Sequence, residues 1–312
     1  MSHGPDPHPA EGSWRQVFVH FHDYAAAEHT GAVHIGPTMT SAEAAGEITS
    51  WFFIRKNPCW RLRFLPAHDS TEQDAAALVY QRLDTLHDAG HIANWVETIY
   101  EPETYAFGGP AGMSLAHHLF HADSRHTLAY LSSQGASTSA GRDQRRELSV
   151  LLCSTLIRGA GQDWYEQADI WARVAQIRPD PPDLPSDRLS NLESGLRRLM
   201  AADTSPTSPL LHRHGSLAFL AEWAAAFAEA GQTLGDLAHN ATLTRGLRAV
   251  LAHHLIFHWN RLGLPSTTQS LLAHTAKAVV FGRDETGTVP DTPQPSWPRT
   301  LAGSGWTVPP TP

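Results

Sequence analysis

The stretch Trp60-Arg61-Leu62-Arg63-Phe64 places two arginines one residue apart among three large apolar side chains. Successive side chains of a strand point to opposite faces. Trp60, Leu62 and Phe64 would therefore enter a core, leaving Arg61 and Arg63 together on the other face, about 7 Å apart. A guanidinium presents a planar fork of donors, and two forks on one face form a receptor for a carboxylate or a phosphate. The same pattern also suits a strand whose arginines face water. Arg55, on the preceding segment WFFIRK, is expected to join the pair if the two segments form a hairpin around Asn57-Pro58.

Three further stretches carry reactive side chains. In Tyr100-Glu101-Pro102-Glu103-Thr104-Tyr105-Ala106-Phe107-Gly108-Gly109-Pro110, the glycine pair and the proline mark a sharp entry into a helix. Glu101 and Glu103 are either a surface acidic pair or partners for the arginines or a substrate amine. His117 and His121 are spaced i, i+4, as are His254 and His258, and such pairs share a helix face. Neither forms an HExxH motif and no third ligand is marked, so the sequence gives no metal site. His258 stands before Asn260, Arg261 and Gly263. It is placed either for acid–base work or, with Arg261, to complement a helix C-terminus. Trp164, Tyr165 and Trp171 are spaced as core or interface residues.

The elements that must position these residues follow from periodicity. Residues 14–22 alternate with period two, with Val17, Val19 and Phe21 on one face. Thr40 and Glu43 fit a capping box opening a short helix to about residue 50. WFFIRK and WRLRFL read as a hairpin, 71–89 as an amphipathic helix closed by Gly90, and 92–101 as a strand. Helices are expected near 111–134, 143–159, 162–177, 187–201, 215–230, 241–261 and 266–281. The pattern is an α+β fold, a mixed or antiparallel N-terminal sheet with packed helices followed by a mainly helical half. One domain is expected over 13–282, between loose tails at 1–12 and 283–312.

Composition narrows the classes. The 312 residues carry 23 Lys+Arg against 31 Asp+Glu, a net charge of −8, which argues against broad nucleic-acid binding. No apolar run approaches the roughly 18–20 residues that span a bilayer, and the N-terminus lacks signal-peptide character. Cys59 and Cys153 make no disulfide framework, so a cytoplasmic protein with reduced thiols is expected.

Taken in order, WFFIRKNPCWRLRF, YEPETYAFGGP, LFHADSR, RRELSVLLC and HWNRLGLP resemble the thiopeptide-type bacteriocin biosynthesis domain over about residues 14–282. This domain is a stand-alone relative of the C-terminal elimination domain of class I lantibiotic dehydratases. The resemblance implies action on a ribosomally made precursor peptide with a leader, after a separate tRNA-dependent protein has glutamylated its Ser or Thr. No cofactor, direct nucleic-acid contact or membrane is implied, and a homodimer is compatible with it. The family's elimination site uses an R-x-R strand, matched by Arg61 and Arg63, and a histidine near an N-R-L motif, matched by His258. Its middle element, Y-x-R-E-x-x-R-Y-G-G, has arginines where this chain has Pro102 and Ala106. Arg55, Arg125 or Arg146 would have to compensate, or the reaction differs.

Three functions follow as expectations. In glutamate elimination, Arg61 and Arg63 clamp the departing carboxylate, His258 moves the proton and Tyr100 or Tyr105 serves the enolate-like oxygen. Arg55, Glu101, Glu103, Arg125, Asn260 and Arg261 bind substrate. In pyridine synthesis, a relative's formal aza-[4+2] joining of two dehydroalanines with leader release, Tyr100, Tyr130, Ser124 and His258 suffice. In the third, the protein only binds a leader, as an added strand, for a glutamylating partner.

Overall fold

Alternating apolar side chains give the N-terminal segments a sheet. The computed structural model describes residues 14–67, 72–136 and 143–282; the expected tails lie outside the described residues. Strands β1 (Arg15–His20), β2 (Ile48–Lys56), β3 (Cys59–Pro66) and β4 (Asn94–Thr98) form one antiparallel sheet in the order β2-β3-β1-β4. Val17, Val19, Trp51, Phe53, Trp60, Leu62 and Phe64 fill one face, as the period-two pattern requires. Helix α3 (Glu72–Asp88) packs against β3 and β4, its Val79 and Leu83 in the same core.

The Thr40–Glu43 motif does not open a helix. Helical structure already runs from α1 (Ala27–Thr30) through a π-type turn (Gly31–Ile35) into α2 (Gly36–Ala44), with Pro37 in its first turn. Thr40 and Glu43 thus lie inside α2, and residues 48–50, expected at the helix end, begin β2. Pro37 and the helical residues before it set the start, and these override a local capping pattern.

The helical half follows the expected sequence with shifted bounds: α4 (Pro110–Ala136), α5 (Arg145–Gly159), α6 (Trp164–Gln176), α7 (Ser186–Met200), α8 (Ala221–His239), α9 (Leu247–Leu262) and α10 (Ser266–Phe281). Helix α8 starts later than the composition suggested, because 215–220 make turns and a short 3-10 helix. Stacking of Trp171 on Trp259, with ring centroids 5.7 Å apart, joins α6 to α9.

Two contacts bind the halves together. Edge strand β2 points backbone N–H groups away from β3, and α4 receives them: Trp51 N donates to His121 Nδ1 (3.1 Å) and Phe53 N to Ser124 Oγ (3.3 Å). A helix thereby closes a sheet edge that would otherwise be open to further pairing. At the other contact, Arg55 donates from Nε to the Arg261 carbonyl (2.8 Å) and from Nη1 to Glu28 (2.6 Å). This approach depends on Gly263, which ends α9 at φ 77°. A Cβ there would lie 2.7 Å from Arg55 Nη1.

Gly263→Ala should therefore cost at least about 1 kcal/mol from the left-handed backbone alone, and more as Arg55 is displaced. Urea denaturation at neutral pH checks this, and a loss no larger than the backbone cost would show that the Arg55 contact carries no stability.

Candidate active site

Arg61 and Arg63 lie on the face of β3 opposite Trp60, as the strand period dictates. They differ in burial, Arg63 being 2% exposed and Arg61 partly exposed. Arg63 Nε donates to Gln16 Oε1 (2.7 Å), while Gln16 Nε2 is bonded to Thr98 Oγ1 (2.8 Å) and the Ile99 carbonyl (2.9 Å). The amide is thus oriented by β4 and offers its oxygen to the guanidinium. The Arg63 guanidinium carbon lies over the rings of Tyr100 (4.2 Å) and Phe52 (5.2 Å), and that of Arg61 over Phe18 (5.4 Å). Among the described residues neither arginine is ion-paired. Arg63 Nη1 and Arg61 Nε are buried without a hydrogen-bond partner. Burial lowers the Arg63 pKa, Tyr100 and Glu103 offset it, and Arg61 and Arg261 lower it further.

The loop after β4 covers this face. Gly108 and Gly109, at φ 85° and 98°, turn the chain into α4. They place Phe107 with Phe52, Tyr100, Met113 and Phe120 in a small aromatic core distinct from the main one. Glu101 is exposed in the loop, whereas Glu103 has a buried, unpartnered Oε2 and its charge reaches Arg63. The two glutamates share no strand face, since β4 stops at Thr98. The Tyr100 hydroxyl lies 2.8 Å from His117 Nε2. Arg245, just before α9, donates to the Ala106 carbonyl (3.0 Å) and lies over the Tyr105 ring (5.8 Å). A guanidinium from outside the loop thus reaches position 106, where the resembling motif has arginine.

Helix α9 forms the far wall. Phe257 packs on Phe107 and stacks on Phe120, at centroid distances of 5.1 and 5.2 Å. His254, 4.9 Å from the Phe107 ring, is buried with neither ring nitrogen bonded. Burial, helped by Arg261, pushes its pKa down to about 3. His258 faces the helical core. Its Nδ1 meets Asp123 Oδ1 (2.9 Å), its ring packs on Phe227 (4.9 Å), and its Nε2 is buried without a partner. Asp123 also accepts from Trp223 Nε1 (2.9 Å) and from Arg261 Nη1, whose guanidinium carbon lies 4.7 Å over Phe120. Burial raises the Asp123 pKa, but His258 and Arg261 outweigh it and hold the carboxyl below its usual range.

Several residues expected beside the arginine pair lie elsewhere. Arg55 is registered opposite Trp60, so it projects from the other sheet face, with its guanidinium carbon 5.0 Å from the Trp60 ring centroid. With Asn260, Glu28 and Tyr24 it lines a separate cavity of about 520 Å³. Arg125 is exposed and pairs with Glu43 (3.2 Å), and Arg146 is exposed on α5. Ser124 is taken up by the β2 edge, and the Tyr130 hydroxyl accepts from Gln144 N (3.2 Å). Tyr100, Glu103 and Arg261 do gather around Arg63. The sequence reading missed three participants, Gln16, Asp123 and Arg245. It noted His117 only as half of an i, i+4 pair, whereas His121 turns to the sheet edge and His117 to Tyr100.

Residues 14–280 match the family model for the C-terminal domain of the lantibiotic biosynthesis dehydratases. The chain belongs to the lantibiotic dehydratase C-terminal family. Its fold is similar to the crystal structure of the tRNA-dependent lantibiotic dehydratase MibB from Microbispora sp. 107891, with a TM-score of 0.65 and 18% identity. That match covers 89% of this chain and 29% of MibB. It is also similar to the crystal structure of TsrL, with a TM-score of 0.55, 18% identity and coverage of 86% of this chain and 97% of that one. A search of curated proteins finds no match. As a member of the lantibiotic dehydratase C-terminal family, the chain belongs to the biosynthesis of ribosomally made, post-translationally modified peptides, and it spans less than a third of MibB's length. Among the described residues no helix is long and apolar enough to cross a membrane.

The histidines around this site make a pH prediction. Burial, then Arg63 and His118, push His117 down to about 4, and His254 lies at about 3. Both are therefore neutral when folded, whereas an unfolded chain protonates them near pH 6.5. Stability should be undiminished above pH 6.5 and fall, by on the order of 3 kcal/mol per group, as pH drops towards these folded values. Denaturation midpoints from pH 7 to 4 measure the slope, and His254→Leu should flatten it. Asp123→Ala should cost about 3–5 kcal/mol at neutral pH, because it strands Arg261 and His258.

Proposed function

We propose that this protein eliminates glutamate from glutamylated Ser or Thr residues of a precursor peptide, leaving dehydroamino acids. The observation that carries this reading is Arg63, a guanidinium 2% exposed, with a free buried Nη1 and a neutral amide as its side-chain acceptor. Burying an unpaired charge costs several kcal/mol, and an arriving carboxylate repays that cost. Arg61, on the same face and partly exposed, stands towards solvent, where a peptide-borne glutamate would enter.

In this reading the peptide loses a proton from the α-carbon, the Cα=Cβ bond forms and the Cβ–O bond breaks. The electron pair departs with the glutamate carboxylate. Arg61 and Arg63 hold that carboxylate and stabilise its developing charge. Tyr100 sits at the reacting centre, under the Arg63 guanidinium. His258 acts from behind: with Asp123 it fixes Arg261, whose charge reaches Arg63. Arg245 supplies the guanidinium at the loop that Pro102 and Ala106 lack. The reaction needs no cofactor, and a separate tRNA-dependent protein supplies the glutamyl ester, in the cytoplasm.

A second reading, pyridine synthesis from two dehydroalanines, is favoured by one feature. The loop 101–109 carries Pro102 and Ala106 in place of arginine. That chemistry asks mainly for orientation and proton transfers, not for a carboxylate clamp.

Incubation with a glutamylated precursor peptide, followed by mass spectrometry, separates the two. Loss of glutamate with gain of dehydroalanine is expected, and Arg63→Ala should slow it about 100-fold while the protein stays folded. Arg61→Ala should have a smaller effect that weakens with added salt, since Arg61 is partly exposed. An unchanged glutamylated peptide, together with leader release from a dehydroalanine-bearing one, would replace elimination by the second reading.

A further inference from the structure

Tyr100 and His117 meet from two elements that the sequence keeps apart. Tyr100 follows β4, His117 lies on α4, and the Gly108-Gly109 turn brings α4 back across the sheet. The phenol oxygen is 2.8 Å from His117 Nε2. The imidazole is fixed between rings, with centroids 4.5 Å from Trp14 and 5.7 Å from Phe52. Tyr100 is 8% exposed, and the Arg63 guanidinium carbon lies 4.2 Å above its ring. The charged and titratable groups facing His117 are Tyr100, Arg63 from β3 and His118 from α4 itself.

These contacts keep the imidazole neutral, so that it can accept the phenol hydrogen. Burial, then Arg63, hold His117 neutral down to about pH 4. A neutral imidazole has one bare nitrogen, and a phenol below its pKa always has a hydrogen to give. With the imidazole hydrogen on Nδ1, Nε2 accepts and Tyr100 donates; with it on Nε2 the direction reverses. Arg63, over the phenol face, favours any negative charge that builds on the ring. Once a carboxylate binds Arg63, the field that opposes protonation of His117 is offset.

We propose that His117 is the positioning residue that makes Tyr100 the base of the elimination, a role that rests on the elimination reading above. Tyr100 Oη takes the α-proton of the bound peptide while its own hydrogen passes to His117 Nε2. The Cα electron pair forms the Cα=Cβ bond, the Cβ–O pair leaves with glutamate, and the imidazolium returns its proton to water.

Two measurements test this. The first is ¹⁵N NMR of the histidine-labelled wild-type protein, which needs no substrate. The His117 signal, assigned by its loss in His117→Gln, should show a bare Nε2 at neutral pH. A protonated Nε2 there overturns the proposal whatever reaction is catalysed. The second is kinetics on a glutamylated peptide. His117→Gln and Tyr100→Phe should each lower kcat about 100-fold, and the double variant should be no slower than either single one. The acid limb of the wild-type kcat/KM profile should be missing in His117→Gln. An active wild type whose rate and pH profile survive His117→Gln overturns the proposal alone. A wild type with a bare Nε2 that leaves the glutamylated peptide untouched overturns the elimination reading and, with it, this role. If His117→Gln unfolds, His117→Asn carries the kinetic arm.

Discussion

A guanidinium held out of water in the middle of a sheet face is the constraint around which this molecule is built. Arg63 cannot be buried at low cost by apolar neighbours alone. Gln16 gives it an oxygen, and Gln16 is itself locked by Thr98 and the Ile99 carbonyl, so pairing of β4 with β1 fixes the direction of the Arg63 side chain. Phe52 and Tyr100 give it two π-faces. Among the described residues no carboxylate pairs with it, and Glu103 reaches Arg63 by its field and not by an ion pair.

The same logic runs in reverse on the helical side. Asp123 is a carboxylate in an apolar core, and Trp223, His258 and Arg261 satisfy it. Arg261 belongs to both environments, since its Nη1 is bonded to Asp123 while its plane lies over Phe120. Phe120 in turn contacts Phe52, which lies beneath Arg63, and Phe107. The small aromatic core is therefore the wall between a cationic site and an acidic one. On the helical side of that wall, Asp123 is taken up by Trp223, His258 and Arg261.

Period and pairing explain what was legible in the sequence. Alternation in WRLRF assigned Arg61 and Arg63 to one face and Trp60, Leu62 and Phe64 to the other, because side-chain direction in a strand depends only on the strand itself. Whether Arg55 joined them depended on register across the turn. With Arg55 opposite Trp60 the answer is the reverse of the expected one. The Thr40–Glu43 pattern failed because a capping box is a local signal and the helix had already started upstream. Asp123 carried no mark at all in LFHADSR. Its role comes from α8 and α9, 100 and 135 residues further along for Trp223 and His258. Such partners have no periodic trace.

The loop between β4 and α4 shows how a motif can lose residues and keep a function open. Pro102 and Ala106 supply no charge. Yet the loop's path is held by Gly108 and Gly109, and the Gly108 carbonyl accepts from Thr244 N (2.9 Å). That bond brings residue 245 to the loop, and Arg245 reaches the Ala106 carbonyl from the neighbouring position. A Cβ at Gly109 would lie 3.1 Å from Thr244 Oγ1, so a side chain there would press on the same contact. The glycine pair thus does two things, turning the chain into α4 and admitting the segment that carries a guanidinium. A cation can be delivered by any element that the backbone lets close enough, so the absence of arginine from one stretch says little about the charge of the finished site.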